Sequence, residues 1–119
     1  MVLLNYLPEE NLVPLLGAAY ALVYPSFFEG FGVPVLEAMQ CGVPVLTSAN
    51  SAMQEVAKDA ALYFDPHDIN SMAESLMLVY KDEDLRQRSI DNSERIYPQY
   101  HWQKTADGLW QSIEAAAKG

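Results

Sequence analysis

The chain has 119 residues, half of them apolar and 19% charged, with a net charge of −9 at pH 7. That length allows one domain or less, since a domain commonly holds roughly 100 to 150 residues, and the composition is that of a folded α/β segment. Residues 1 to 57 carry five acids and no Lys or Arg, and residues 58 to 119 carry eleven acids and seven bases, so nothing attracts a nucleic-acid backbone or an anionic membrane face.

No apolar run approaches the ~20 residues that span a bilayer, so no transmembrane segment is expected. The start, Met1 to Asn11, lacks the basic head and long apolar run of a signal peptide. A lone cysteine, Cys41, excludes an internal disulfide and suits a reducing cytoplasm.

Met1 to Leu4 reads as a short strand or the tail of one. Pro8 to Asn11 leads into a helix with Pro14 in its first turn, where a missing N–H costs nothing, and with Leu12, Leu15, Leu16 and Ala19 at helical spacing. Ala21 to Tyr24 reads as a fully buried strand stopped by Pro25, followed by a loop from Ser26 to Gly32. Pro34 opens a helix ended by Gly42, and Val43 to Thr47 forms a second buried strand. Ser51 is expected to cap the next helix, with Glu55 as its cap partner, and Ala60 to Phe64 is a third strand, stopped by Asp65-Pro66. Asp68 caps a helix from about Ile69 to Tyr80, and two more follow, near Asp84 to Tyr97 and Trp102 to Ala117. Strands alternating with helices predict a parallel sheet with covered faces, Rossmann-like but truncated to three or four strands. A complete doubly wound sheet has roughly five or six, which places further chain before Met1.

The informative stretch runs from Tyr24 to Leu46: strand end, glycine-bearing loop, helix, next strand. In open parallel sheets, ligands bind beyond the carboxyl ends of the strands, where such loops lie. Gly30 and Gly32 allow close backbone approach, and free N–H groups from Phe31 to Val33 at a helix start can meet a phosphate. Glu29 precedes this cradle and Glu37 lies one turn into the helix. Carboxylates beside phosphates need another task, and accepting hydroxyl hydrogens suits them. A nucleotide sugar carries hydroxyls at both ends and phosphates between, which matches acid, amide cradle, acid.

Glu29 and Glu37, within PSFFEGFGVPVLEAMQCGVPVLTS, resemble the signature of family 4 retaining glycosyltransferases, which have the two-Rossmann-domain GT-B fold. The similarity spans about Asn11 to Trp110. It implies that the chain is part of the C-terminal donor-binding domain of a hexosyltransferase, with the N-terminal acceptor domain absent. It further implies that Glu29 binds and aligns the donor sugar, that Glu37 binds the ribose, and that Gly30, Phe31, Gly32 and Val33 meet sugar and diphosphate. Transfer would proceed with retention, from a nucleoside-diphosphate sugar such as one of mannose or glucose, without a metal or other cofactor. The family's diphosphate-binding Arg and Lys have no match here and are expected upstream of Met1. Gln54 and Lys58 depart from the pattern, standing where relatives often have Pro and usually have Gly. The cytoplasm, or the inner face of a membrane for the full enzyme, is the expected location.

Taken singly, these residues have plainer readings. Gly30-Phe-Gly32 alone is a common turn, and His67 and His101 read as loop or cap residues with no metal-ligand set around them. Cys41 reads as a small core residue, and Trp102 and Trp110 as packing on the domain. Phe27 and Phe28 fit either the core or a sugar cleft. Two rivals remain: an epimerase or phosphorylase of the same fold, and a non-catalytic donor-domain module. An exposed sheet edge left by the truncation would favour self-association.

Overall fold

Three short parallel strands, in the order β1-β2-β3, form the only sheet among the described residues of this computed structural model, which covers residues 1–119 apart from the side chain of Ser51. The elements follow in sequence as α1 (Glu9–Gly17), β1 (Leu22–Tyr24), α2 (Val33–Gln40), β2 (Val45–Ser48), α3 (Ser51–Ala57), β3 (Ala61–Phe64), α4 (Ile69–Lys81), α5 (Glu83–Ile96) and α6 (Trp102–Lys118). Each strand reaches its parallel neighbour through a helix, as βαβ units require. The register sets Tyr24 beside Thr47, and Thr47 beside Tyr63.

β2 is the buried centre, and its period-two alternation divides the core into two layers. Val45 joins the larger cluster, with Val35, Met39, Met53, Val56 and Ile96 among its members, on the side of α2, α3 and α5. Leu46 points the other way, to Phe64 and Val79 under α4. A sheet covered on both faces explains why all four residues of β2 are buried, the polar Thr47 and Ser48 included. α5 is fastened to the 3₁₀ turn Lys58–Ala60: Ser89 Oγ donates to Ala60 O, and Asn92 Nδ2 to Asp59 O.

Several expectations are corrected. Met1 to Leu4 forms no strand and is exposed, because no neighbouring strand is present to receive its hydrogen bonds. α1 begins at Glu9, so Pro14 sits inside the helix and not in its first turn; Glu9 and Glu10 occupy that turn, favoured by the helix dipole. β1 is an edge strand and not fully buried, with Val23 exposed. Asn50 caps α3, its side chain accepting from Met53 N–H at 3.1 Å; a side-chain cap from Ser51 lies outside the described residues. With the cap one residue earlier, Glu55 falls beyond capping reach and is exposed. Asp68 does cap α4, and Gly42 ends α2 at φ +69°, with Gly42 N–H bound to Met39 O and Val43 N–H to Ala38 O, the double closure of a helix end in the left-handed conformation.

Trp102 and Trp110 do not pack on the domain. They are exposed with Leu109 and Ile113 along α6, and no residue of that helix is buried. The chain is extended, with a long dimension of 56 Å and a radius of gyration of 16.4 Å, against about 13.5 Å for a compact chain of this length.

Candidate functional site

The carboxyl ends of β1 and β2 lie side by side, and polar side chains there fix the loop that follows β1. Thr47 Oγ1 donates to Tyr24 O at 3.0 Å, Ser26 N–H donates to Ser48 Oγ at 2.8 Å, and Asn50 Nδ2 donates to Ser26 O at 3.3 Å. Thr47 and Ser48 are buried, so these bonds are sheltered from water and hold the loop's first turn in one place.

Glu29 emerges from this anchored segment half-buried. Its Oε1 receives the Tyr24 hydroxyl at 2.7 Å and lies 3.0 Å from Ser26 Oγ; Oε2 has no partner among the described residues. The hydrogen bond to Glu29, then burial, then the negative charge of that carboxylate raise the Tyr24 phenol above its ordinary pKa of 10.0. Tyr24 is therefore a neutral donor across the physiological range.

Beyond Glu29 the chain turns into α2 through Gly32, which occupies the helix N-cap at φ +92°. A Cβ at Gly32 would run into the end of the Met53 side chain, and the left-handed backbone itself disfavours any other residue. Gly30 has an ordinary φ and open space around it, so within the chain neither conformation nor crowding requires glycine there. Among the described residues, the N–H groups of Phe31, Gly32 and Val33 have no acceptor, and Pro34 in the first helical turn has no N–H to lose. These amides sit at the positive end of α2.

Glu37, one turn on, is half-buried and makes no side-chain hydrogen bond among the described residues. It lines a cleft of about 470 Å³ between α1 and α2, together with Leu12, Leu16 and Cys41. Along the chain Glu29 precedes the amide turn and Glu37 follows it, and their surroundings differ: Glu29 is clamped at the strand ends, and Glu37 lies in a cleft that Glu9 and Gln40 also line. Cys41 is half-buried against the core. Phe27 and Phe28 are exposed and not core; the Phe27 ring lies 4.8 Å from that of His67, and Phe31 meets the edge of Tyr100 at 5.8 Å. No Lys or Arg occurs in residues 1 to 57, so this segment itself offers an anion only its amides and the helix dipole.

Tyr24, Ser26, Thr47, Ser48 and Asn50 were not singled out by sequence as site residues. The available signal was their polarity at the ends of otherwise apolar strands. No group of three or more His, Cys, Asp or Glu among the described residues is placed to hold a metal ion.

Residues 1–96 match the family described as glycosyl transferases group 1. The chain is 40% identical over 100 residues to O-antigen chain mannosyltransferase B of Escherichia coli, covering 84% of this chain and 26% of that protein. It is 32% identical over 110 residues to D-inositol 3-phosphate glycosyltransferase of Corynebacterium jeikeium, covering 90% of this chain and 26% of that one. Sucrose-phosphate synthase from Thermosynechococcus elongatus superposes with a TM-score of 0.82 at 28% identity, over 95% of this chain and 30% of that structure. The chain therefore spans between a quarter and a third of the length of these relatives.

Proposed function

Since the chain belongs to the group 1 glycosyltransferases, we propose that it is the donor-binding part of a retaining hexosyltransferase whose remaining domain binds the acceptor. The supporting observation is the anchored Glu29 beside three unpaired amides on a helix that starts at Gly32. In this reading Glu29 aligns the sugar, the amides from Gly30 to Val33 receive sugar and diphosphate, and Glu37 takes the ribose hydroxyls. A nucleoside-diphosphate mannose is the first donor to test, because the E. coli relative is a mannosyltransferase. Catalysis rests on positioning and on stabilising charge at the leaving phosphate. No helix among the described residues is long and apolar enough to cross a membrane.

Steady-state kinetics of the intact enzyme test the assignment. Glu29→Gln lowers kcat, because alignment matters most in the transition state, whereas Glu37→Ala raises the donor KM, because ribose contacts persist from ground to transition state. Wild-type kinetics in both variants would overturn it. Transfer also needs no metal in this reading, as amides and a helix terminus meet the phosphates directly. Activity persists in excess EDTA; activity lost there and restored by Mn²⁺ or Mg²⁺ would refute that part.

A further inference from the structure

Glu29 stands on a loop, and an unrestrained glutamate side chain has three rotatable bonds to order each time it meets a ligand. Here one of its two oxygens is already occupied. Tyr24 OH donates to Oε1 at 2.7 Å, and Ser26 Oγ is 3.0 Å from both Oε1 and Phe28 O, so its single proton serves one of them at a time. Oε2 accepts nothing within the chain among the described residues.

The two donors are themselves fixed. Tyr24 packs against the larger core cluster, and its carbonyl is held by the buried Thr47 hydroxyl. Ser26 is bound through both backbone polar groups, to Ser48 Oγ and Asn50 Nδ2. A continuous series of hydrogen bonds therefore runs from the central strand β2, through Tyr24 and Ser26, to one oxygen of Glu29. Nothing in core packing requires a hydroxyl on the Tyr24 ring, since phenylalanine would fill the same space.

We propose that Tyr24 and Ser26 are positioning residues for sugar transfer: they hold Oε1 of Glu29 and leave Oε2 to accept a hydroxyl hydrogen of the donor sugar. The inference rests on the reading of Glu29 given above. Tyr24 carries most of the effect, because the Ser26 proton is divided between two acceptors.

A double-mutant cycle in the intact enzyme separates this from a structural role. Tyr24→Phe lowers kcat about tenfold, the scale on which a small misplacement of an aligning group acts, and leaves the donor KM within about threefold. Ser26→Ala gives a smaller loss of the same kind. In a Glu29→Ala background, where no carboxylate remains to be held, Tyr24→Phe costs less than about twofold. If Tyr24→Phe loses the fold, Ser26→Ala in the same two backgrounds decides the matter. Wild-type kcat in the clamp variants, with Glu29→Ala impaired, would overturn the clamp and leave the donor-site reading standing. Equal losses with and without Glu29 would overturn it as well, since Tyr24 would then act on its own. Wild-type activity in Glu29→Ala would remove the donor-site reading, and the clamp with it.

Discussion

Among the described residues, Lys58 alone has positive φ without being glycine, at φ 49° and ψ −123°, and it ends α3. That backbone is one that side chains with a Cβ rarely adopt, with a strain of about 1–3 kcal/mol. The position is held from outside: Tyr63 OH donates to Lys58 O at 2.7 Å, and the turn Lys58–Ala60 lies under α5. Lys58→Gly removes the strain. Against that stand about 1 kcal/mol of added backbone freedom in the unfolded chain and the exposed bond from Lys58 Nζ to Gln99 Oε1 at 3.0 Å, worth about 0.5 kcal/mol. With strain in the middle of its range, the variant gains about 0.5 kcal/mol, or ~2–4 °C in Tm for a domain of this size. Lys58→Ala keeps the Cβ and the strain while losing the Gln99 bond, and falls about 0.5 kcal/mol below the wild type. Urea unfolding of the three proteins at equal m-value measures both shifts. A glycine variant no more stable than the alanine variant would refute this, showing that the strain at Lys58 does not exceed the ~1 kcal/mol that glycine's added freedom costs.

Two further predictions concern the fold. Burial of the Tyr63 phenol, aided by the Asp59 carboxylate, raises its pKa from 10.0 to about 12; the unfolded chain therefore releases this proton first, and stability falls as pH rises from about 10, levelling near 12. Tyr63→Phe removes that part of the alkaline decline, and an unchanged decline in denaturant midpoints would refute the assignment. β1 has a strand on one side only, with Val23 exposed, so the chain self-associates at high concentration despite its charge of −9. Sedimentation velocity should show Val23→Lys reducing that association; a wild-type monomer at all concentrations would refute it.

The three strands were legible because each is a short apolar run with a proline, a glycine or Asp65-Pro66 beside it, and the start of α4 because Asp68 is its cap. Met1 to Leu4 has equal apolar character and no partner, and strand pairing is not a local property. Asn50 and Ser51 are both good capping residues in adjacent positions, and the local sequence does not choose between them. At the site, the glutamates and the amide turn were readable from their order along the chain. The bonds that fix the turn join Tyr24 and Ser26 to Thr47, Ser48 and Asn50 across two strands, so they follow from register and not from spacing. The helical period on α6 identified an apolar stripe without saying what, if anything, covers it.

For α6, that bareness separates helix formation from the folding of the rest. A helix of 17 residues with no buried side chain draws its stability from its own hydrogen bonds and from the His101 cap, where Lys104 N–H donates to Nδ1 at 3.2 Å. Most helical stability in proteins comes from packing of an amphipathic face, which α6 lacks, and Gly108 in its interior lowers its own propensity further. Its amides therefore exchange with solvent through local fraying, at a free energy far below that of global opening, while those of β2 exchange only when the whole core opens. The cooperative unit of this chain ends near Tyr100, whose hydroxyl donates to Glu55 O at 3.0 Å, and α6 adds to the helical signal in circular dichroism without sharing in the sharp transition that the core undergoes.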